Sequence, residues 1–74
     1  IIENLETENQ LNLLSTLSTY INMNGQVNKS AEELHIHRNT LNYRLEKVEE
    51  VTGKNPKKFI DLFQLYTAYI LSKL

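Results

Sequence analysis

Seventy-four residues leave room for one domain, and a chain this short buries only about 60% of its unfolded surface. It has no cysteine, which excludes a disulfide framework and a thiolate metal site, and no apolar run approaches the roughly 18 residues needed to cross a bilayer. The formal net charge is −1, so any positive surface has to come from local segregation. Acids crowd at Glu3, Glu6 and Glu8, at Glu32 and Glu33, and at Glu46, Glu49 and Glu50; bases gather at Lys29, Arg38 and Arg44, beside His35 and His37, and again at Lys54, Lys57 and Lys58. No signal peptide opens the chain, and its first residue is Ile1. Residues 1–74 therefore read as a single cytoplasmic domain excised from a longer protein.

The chain reads as all-α, a small domain of four helices at about 8–23, 28–35, 38–52 and 56–73. Thr7-Glu8-Asn9-Gln10 fits a capping box, and Leu11, Leu14, Leu17 and Ile21 follow at helical spacing. Asn24-Gly25 supplies a left-handed stop. Asn28 is the expected N-cap of a short second helix with Ala31 and Leu34 inward. The third helix carries Leu41, Leu45 and Val48 at i, i+4 and i+7, and Gly53 closes it. Asn55-Pro56 reads as N-cap and first residue of the fourth. No period-two strand pattern and no repeat occurs.

Helices two and three, joined by about three residues, predict a helix-turn-helix. Ala31 allows close approach, Ile36 plugs the corner, and His35 occupies a position where the backbone commonly turns left-handed. At about 100° per residue, burying Leu41 and Leu45 turns Asn39 and Tyr43 outward, with Thr40 and Asn42 beside them and Arg38 at the tip. These residue types suit DNA. Arg pairs with both guanine acceptors and Asn with adenine N6 and N7, while Tyr43 offers an apolar body for a thymine methyl and a hydroxyl for phosphate. His37, Thr40, Asn28 and Lys29 are candidates to hold the phosphate backbone, with the amides that open helices two and three; Lys47 lies a turn beyond Tyr43. Arg44, projecting beside the core stripe, is divided between DNA contact and an internal pair with Glu33 or another acid.

From Ser30 to Leu45, and again from Val48 to Gly53, the chain resembles the C-terminal domain of the PucR/CdaR family of bacterial transcription regulators; the core string is IHRNTLNYRL. The preceding leucine-rich helix and the following NPKKFIDLFQLYTAYIL extend the resemblance over roughly residues 9–72. The turn and third helix are also similar, less specifically, to the end of Fis-type domains. The resemblance implies a DNA-binding output domain controlled by an upstream sensor domain in the same chain, in a family linked to purine catabolism, sugar-diacid use and related metabolism. Asn42 and Glu46 depart from its pattern, which often carries Lys or Arg near there, so phosphate attraction is reduced.

Double-stranded DNA and a second subunit are the expected partners, because small helix-turn-helix domains gain affinity as two-fold dimers. Neither a cofactor nor a metal is expected, since His35-x-His37 lacks a third ligand, and no paired-acid or Ser/His/Asp arrangement suggests an enzyme. The terminal Ser72-Lys73-Leu74 matches a peroxisomal address by chance. The fourth helix is apolar over some 240°, far more than one buried face requires; Leu65, Tyr69 or their neighbours are expected to contact a second subunit or an upstream domain. The alternative function is a helical protein-interaction or dimerisation module that keeps the helix-turn-helix shape.

Overall fold

The computed structural model describes residues 12–72, and within them the fold is all-α. Four helices follow one another: α1 Leu13–Asn22, α2 Val27–Leu34, α3 Arg38–Thr52 and α4 Phe59–Ser72. The capping box at Thr7 to Gln10, the first turn from Glu8 and Leu11 lie outside the described residues, as do Lys73 and Leu74.

Two linked clusters form the core. In the first, Leu13 and Leu17 of α1 meet Val48 of α3 and Leu65 of α4. In the second, Tyr20 of α1 meets Ala31 of α2 and Leu41 and Leu45 of α3, with Ile36 of the turn and Leu34 packed against it. Leu62 of α4 touches both clusters. The second cluster is the corner of the helix-turn-helix, and its small Ala31 lets α2 and α3 close over Tyr20. Burial raises the Tyr20 phenol above its usual pKa, since the charged form would lose its water. Ser30 is also fully buried; its hydroxyl donates to the Gln26 carbonyl at 2.7 Å, so no polar group is stranded there.

Helix ends follow backbone logic. After α1, Gly25 N–H reaches the Tyr20 carbonyl and Asn24 N–H the Ile21 carbonyl; after α2, Ile36 N–H reaches Ala31 and His35 N–H reaches Glu32. Both are Schellman motifs, and each puts a non-glycine residue in the left-handed region, Asn24 at φ 59° and His35 at φ 57°. Gly53 closes α3 at φ 74°. The left-handed region costs an ordinary residue about 1–2 kcal/mol, against which glycine's extra unfolded-state entropy sets roughly 0.5–1 kcal/mol. His35→Gly is therefore expected to stabilise the domain by about 0.5–1 kcal/mol, raising its melting midpoint by a few degrees on a circular dichroism melt. A lowered midpoint would contradict this account of the turn.

Three starts differ from the sequence reading: α1 opens at Leu13 behind Asn12, whose left-handed backbone at φ 51° interrupts the helix expected over 8–23, and the other two are α2 and α4. Helix α2 opens one residue early, from an extended Gln26 whose carbonyl accepts Ser30 N–H, so Asn28 lies inside the helix and does not cap it. Asn55 does accept Lys57 N–H through Oδ1, but it caps only a single turn, closed by Lys58 N–H on the Asn55 carbonyl. Asp61 Oδ2 holds Asn55 N–H from the following helix, and regular α4 bonding begins with Leu62 N–H on Lys58. The helix accordingly starts at Phe59, not Pro56. The assignment of Leu65 to an outer contact is corrected too: it is buried in the core, whereas Phe59, Ile60, Phe63, Tyr66, Ile70 and Leu71 face outward.

Candidate nucleic-acid interface

Helix α3 is held by one fully buried ridge, Leu41, Leu45 and Val48. That anchoring fixes its rotation, and the side chains opposite the ridge must face solvent. Arg38, Asn39 and Thr40 are exposed, and Tyr43 is 51% exposed. His37 is the N-cap: its Nδ1 accepts the Asn39 backbone N–H at 3.0 Å. The cap uses the lone pair of one ring nitrogen, so in the neutral ring Nε2 carries the proton and is the donor available to a phosphate.

The exposed face is polarised along its length. Its first turn and a half, Arg38 to Tyr43, contains no acid, whereas Glu46, Glu49 and Glu50 are exposed farther along. Lys47 Nζ lies 3.0 Å from Glu50 Oε2, which draws it toward the acidic end. A polyanion laid along the whole helix would meet repulsion over its second half. One that met only the N-terminal end would find a cation, amide and hydroxyl groups and the positive end of the helix dipole.

A polar groove of about 500 Å³ runs from that tip between α3 and the start of α2, lined by Asn28, Arg38, Asn39 and Asn42 together with Gln26 and Lys57. Asn42 is half-buried, and its Oδ1 is a buried acceptor with no hydrogen-bond partner among the described residues. Lys57 also lines a smaller neighbouring depression with Asn42, Glu46 and Glu49, so the α3–α4 connection folds back along α3 and brings a cation to the groove. Sequence reading noted the Lys54, Lys57 and Lys58 cluster but had no means of placing Lys57 beside residues 15 to 19 positions earlier. Lys29 is exposed on the first turn of α2, on the same helix as Asn28.

Arg44 behaves differently from the other candidates. It is half-buried, and one guanidinium nitrogen donates to Thr16 Oγ1 of α1 at 3.3 Å. The suggested pair with Glu33 is replaced by this bond to a fully buried hydroxyl. Arg44 thus ties α3 to α1 behind the exposed face.

Residues 13–71 match the description "PucR C-terminal helix-turn-helix domain". The chain is 51% identical over 45 residues to the purine catabolism regulatory protein of Bacillus subtilis, a stretch covering 61% of this chain and 8% of that protein. It is 38% identical over 68 residues to the proline-responsive transcriptional activator PutR of the same organism (92% of this chain, 16% of PutR). It is 32% identical over 65 residues to the DNA-binding transcriptional activator AdeR, also from B. subtilis (88% of this chain, 15% of AdeR). The chain therefore spans less than a fifth of the length of these relatives. No solved structure matches.

Proposed function

Because the chain belongs to the PucR C-terminal helix-turn-helix family, we propose that it is the sequence-reading DNA-binding domain of a longer, cytoplasmic transcription regulator. In this reading the N-terminal half of α3 enters the major groove of double-stranded DNA. The observation that carries it is the acid-free, exposed tip Arg38 to Tyr43 on a helix whose rotation is set by Leu41 and Leu45. Arg38 and Asn39 supply base-edge contacts, Asn42 lines the groove beside them, and Tyr43 meets a thymine methyl. His37, Thr40, Asn28, Lys29 and Lys57 take the phosphates on either side. Lys47 adds to this set where a phosphate outcompetes Glu50 for it. Arg44 acts from behind by holding α3 on α1.

An upstream sensor domain in the same chain would supply regulation, as the names of the relatives, one a purine catabolism regulator and one a proline-responsive activator, suggest for those proteins. The net charge of −1 leaves little long-range attraction, so affinity rests on few local phosphate contacts and is modest for one domain.

A salt titration with the 74-residue chain and a duplex carrying its operator tests the proposal. The logarithm of the association constant is expected to fall linearly with the logarithm of salt concentration, at about 0.9 per phosphate neutralised. Lys57→Gln should make that slope shallower by about 1 while weakening all sequences alike. A flat response, or binding indifferent to duplex sequence, would overturn the reading.

A further inference from the structure

An asparagine side-chain amide is open to attack by the backbone nitrogen of the next residue, and glycine in that position has no Cβ to block the approach. Of the nine asparagines in the chain only Asn24 precedes glycine, whereas Asn55 precedes proline, whose nitrogen has no proton to lose. Asn24 is exposed, on the rim of a trough of about 490 Å³ between the end of α1 and α4, so water has access to it. The backbone around it is tied down. Asn24 N–H donates to the Ile21 carbonyl at 3.0 Å, Gly25 N–H to Tyr20 at 2.9 Å and Gln26 N–H to Met23 at 3.2 Å, with Asn24 and Gly25 both left-handed at φ 59° and 73°. Attack requires the Gly25 nitrogen to lose its proton and swing onto Asn24 Cγ. Here that N–H is engaged by Tyr20, and the bonds on either side keep its peptide plane from turning. The turn is also anchored at both ends in the helix-turn-helix corner, because Tyr20 and Val27 pack in the same cluster with Ala31, Leu41 and Leu45. A Cβ on Gly25 would lie 3.7 Å from both Leu62 Cδ2 and the Tyr20 hydroxyl, so the turn rests on the side chains that join α1 to α4.

We propose that Asn24-Gly25 is a self-modifying site held closed by the fold, and that it converts only in chains whose α1–α2 corner has opened. The chemistry balances with water alone. The Gly25 nitrogen bonds to Asn24 Cγ as its proton is removed, the bond from Cγ to Nδ2 breaks, and ammonia leaves with that nitrogen. Water then opens the cyclic imide at one of its two carbonyls. One opening gives aspartate; the other gives isoaspartate, in which the main chain runs through the former side-chain carbonyl. An amide and a water thus become a carboxylic acid and ammonia, with nothing oxidised or reduced. Isoaspartate lengthens the main chain by a carbon atom between the two residues, so Gly25 and Gln26 N–H no longer meet the Tyr20 and Met23 carbonyls in one turn. Either product also puts a carboxylate just past the C-terminal end of α1, where the helix dipole disfavours it. The change runs one way. A domain that has opened and reacted closes again less stably, and so carries a chemical record of the opening. The inference stands apart from the DNA reading, because neither reacting group lies at the tip of α3.

Timed incubation of the 74-residue chain at mildly alkaline pH, in a series of guanidinium concentrations, provides the test. Intact-mass spectrometry follows the gain from amide to acid, and peptide mapping separates the aspartate and isoaspartate forms and assigns them to the Asn24 position. Conversion in native buffer should be roughly a hundredfold or more slower than in the unfolded chain, because the open population of a folded domain is small. At intermediate concentrations the rate should rise in step with the loss of far-UV helical signal. Asn24→Gln should abolish the conversion, since its longer side chain would have to close a larger ring, and Asn22 and Asn28 should keep their amides over the same period. The refolded isoaspartate form should melt several degrees below the unaltered chain. Equal rates in the folded and unfolded chain, or an unfolded chain that keeps its Asn24 amide, overturn the proposal. A rate that climbs before the helical signal falls also overturns it, because the turn would then open without the corner. An unchanged melting midpoint after conversion overturns the one-way consequence.

Discussion

Replacing Leu41 with alanine is expected to unfold the domain at room temperature. Leu41 is fully buried in the cluster that joins Tyr20 of α1, Ala31 of α2 and Leu45 of α3, so it is the point at which three helices share one side chain. Removing its three outer carbons forfeits their transfer free energy and leaves a cavity that rigid helices cannot collapse, a loss of about 3–5 kcal/mol. A single domain of this size commonly has a total stability of about 5 kcal/mol. The variant should therefore lose most of its far-UV helical signal at 25 °C, or melt without a cooperative transition. Within 1 kcal/mol of unaltered stability in a denaturant titration would mean that the corner is held by something other than this cluster.

Joint replacement of Arg38 and Asn39 with alanine should have the opposite profile, with the fold preserved and sequence-specific binding lost. Both side chains are exposed, so the core does not register their absence. The His37 cap bonds the Asn39 backbone N–H, which alanine keeps. Each base-edge contact discriminates by roughly 5- to 150-fold. The double variant should bind its operator at least a hundredfold more weakly while its residual affinity for unrelated duplex, carried by Lys29, Lys57 and the helix amides, changes little. Gel-shift or anisotropy titrations at one fixed salt concentration, against operator and scrambled duplexes, separate the two. Equal loss on both duplexes would show that these residues hold phosphates and do not read bases, and unchanged operator affinity would remove the α3 tip from the interface.

Local pattern carried a long way in this chain. The i, i+4, i+7 ridge of Leu41, Leu45 and Val48 predicted both the helix and its rotation, and all three are buried as that rotation requires. His35 in a left-handed turn was legible because a Schellman ending imposes one residue of that conformation whatever its side chain. Features that depend on partners distant in the chain were not legible. Arg44 and Thr16 are 28 residues apart and meet only because α1 crosses α3. Asp61 reaches back to Asn55 and splits what local rules read as one helix into a capped turn and α4.

The order of residues alone determined that the described residues form four amphipathic or apolar helices, that the second and third make a tight corner, and which side of the third is polar. These follow from periodicity and backbone sterics acting over three or four residues. Only the tertiary structure decided which side of α4 is core. A helix apolar nearly all round has no preferred orientation of its own, and the choice of Leu65 as the inward residue was made by the shape of the hollow between Leu13, Leu17 and Val48. The same packing turned Phe59, Phe63 and Tyr66 to solvent. It also carried Lys57 to the groove at the tip of α3, because a chain reversing after Gly53 must run back along the helix it has just left.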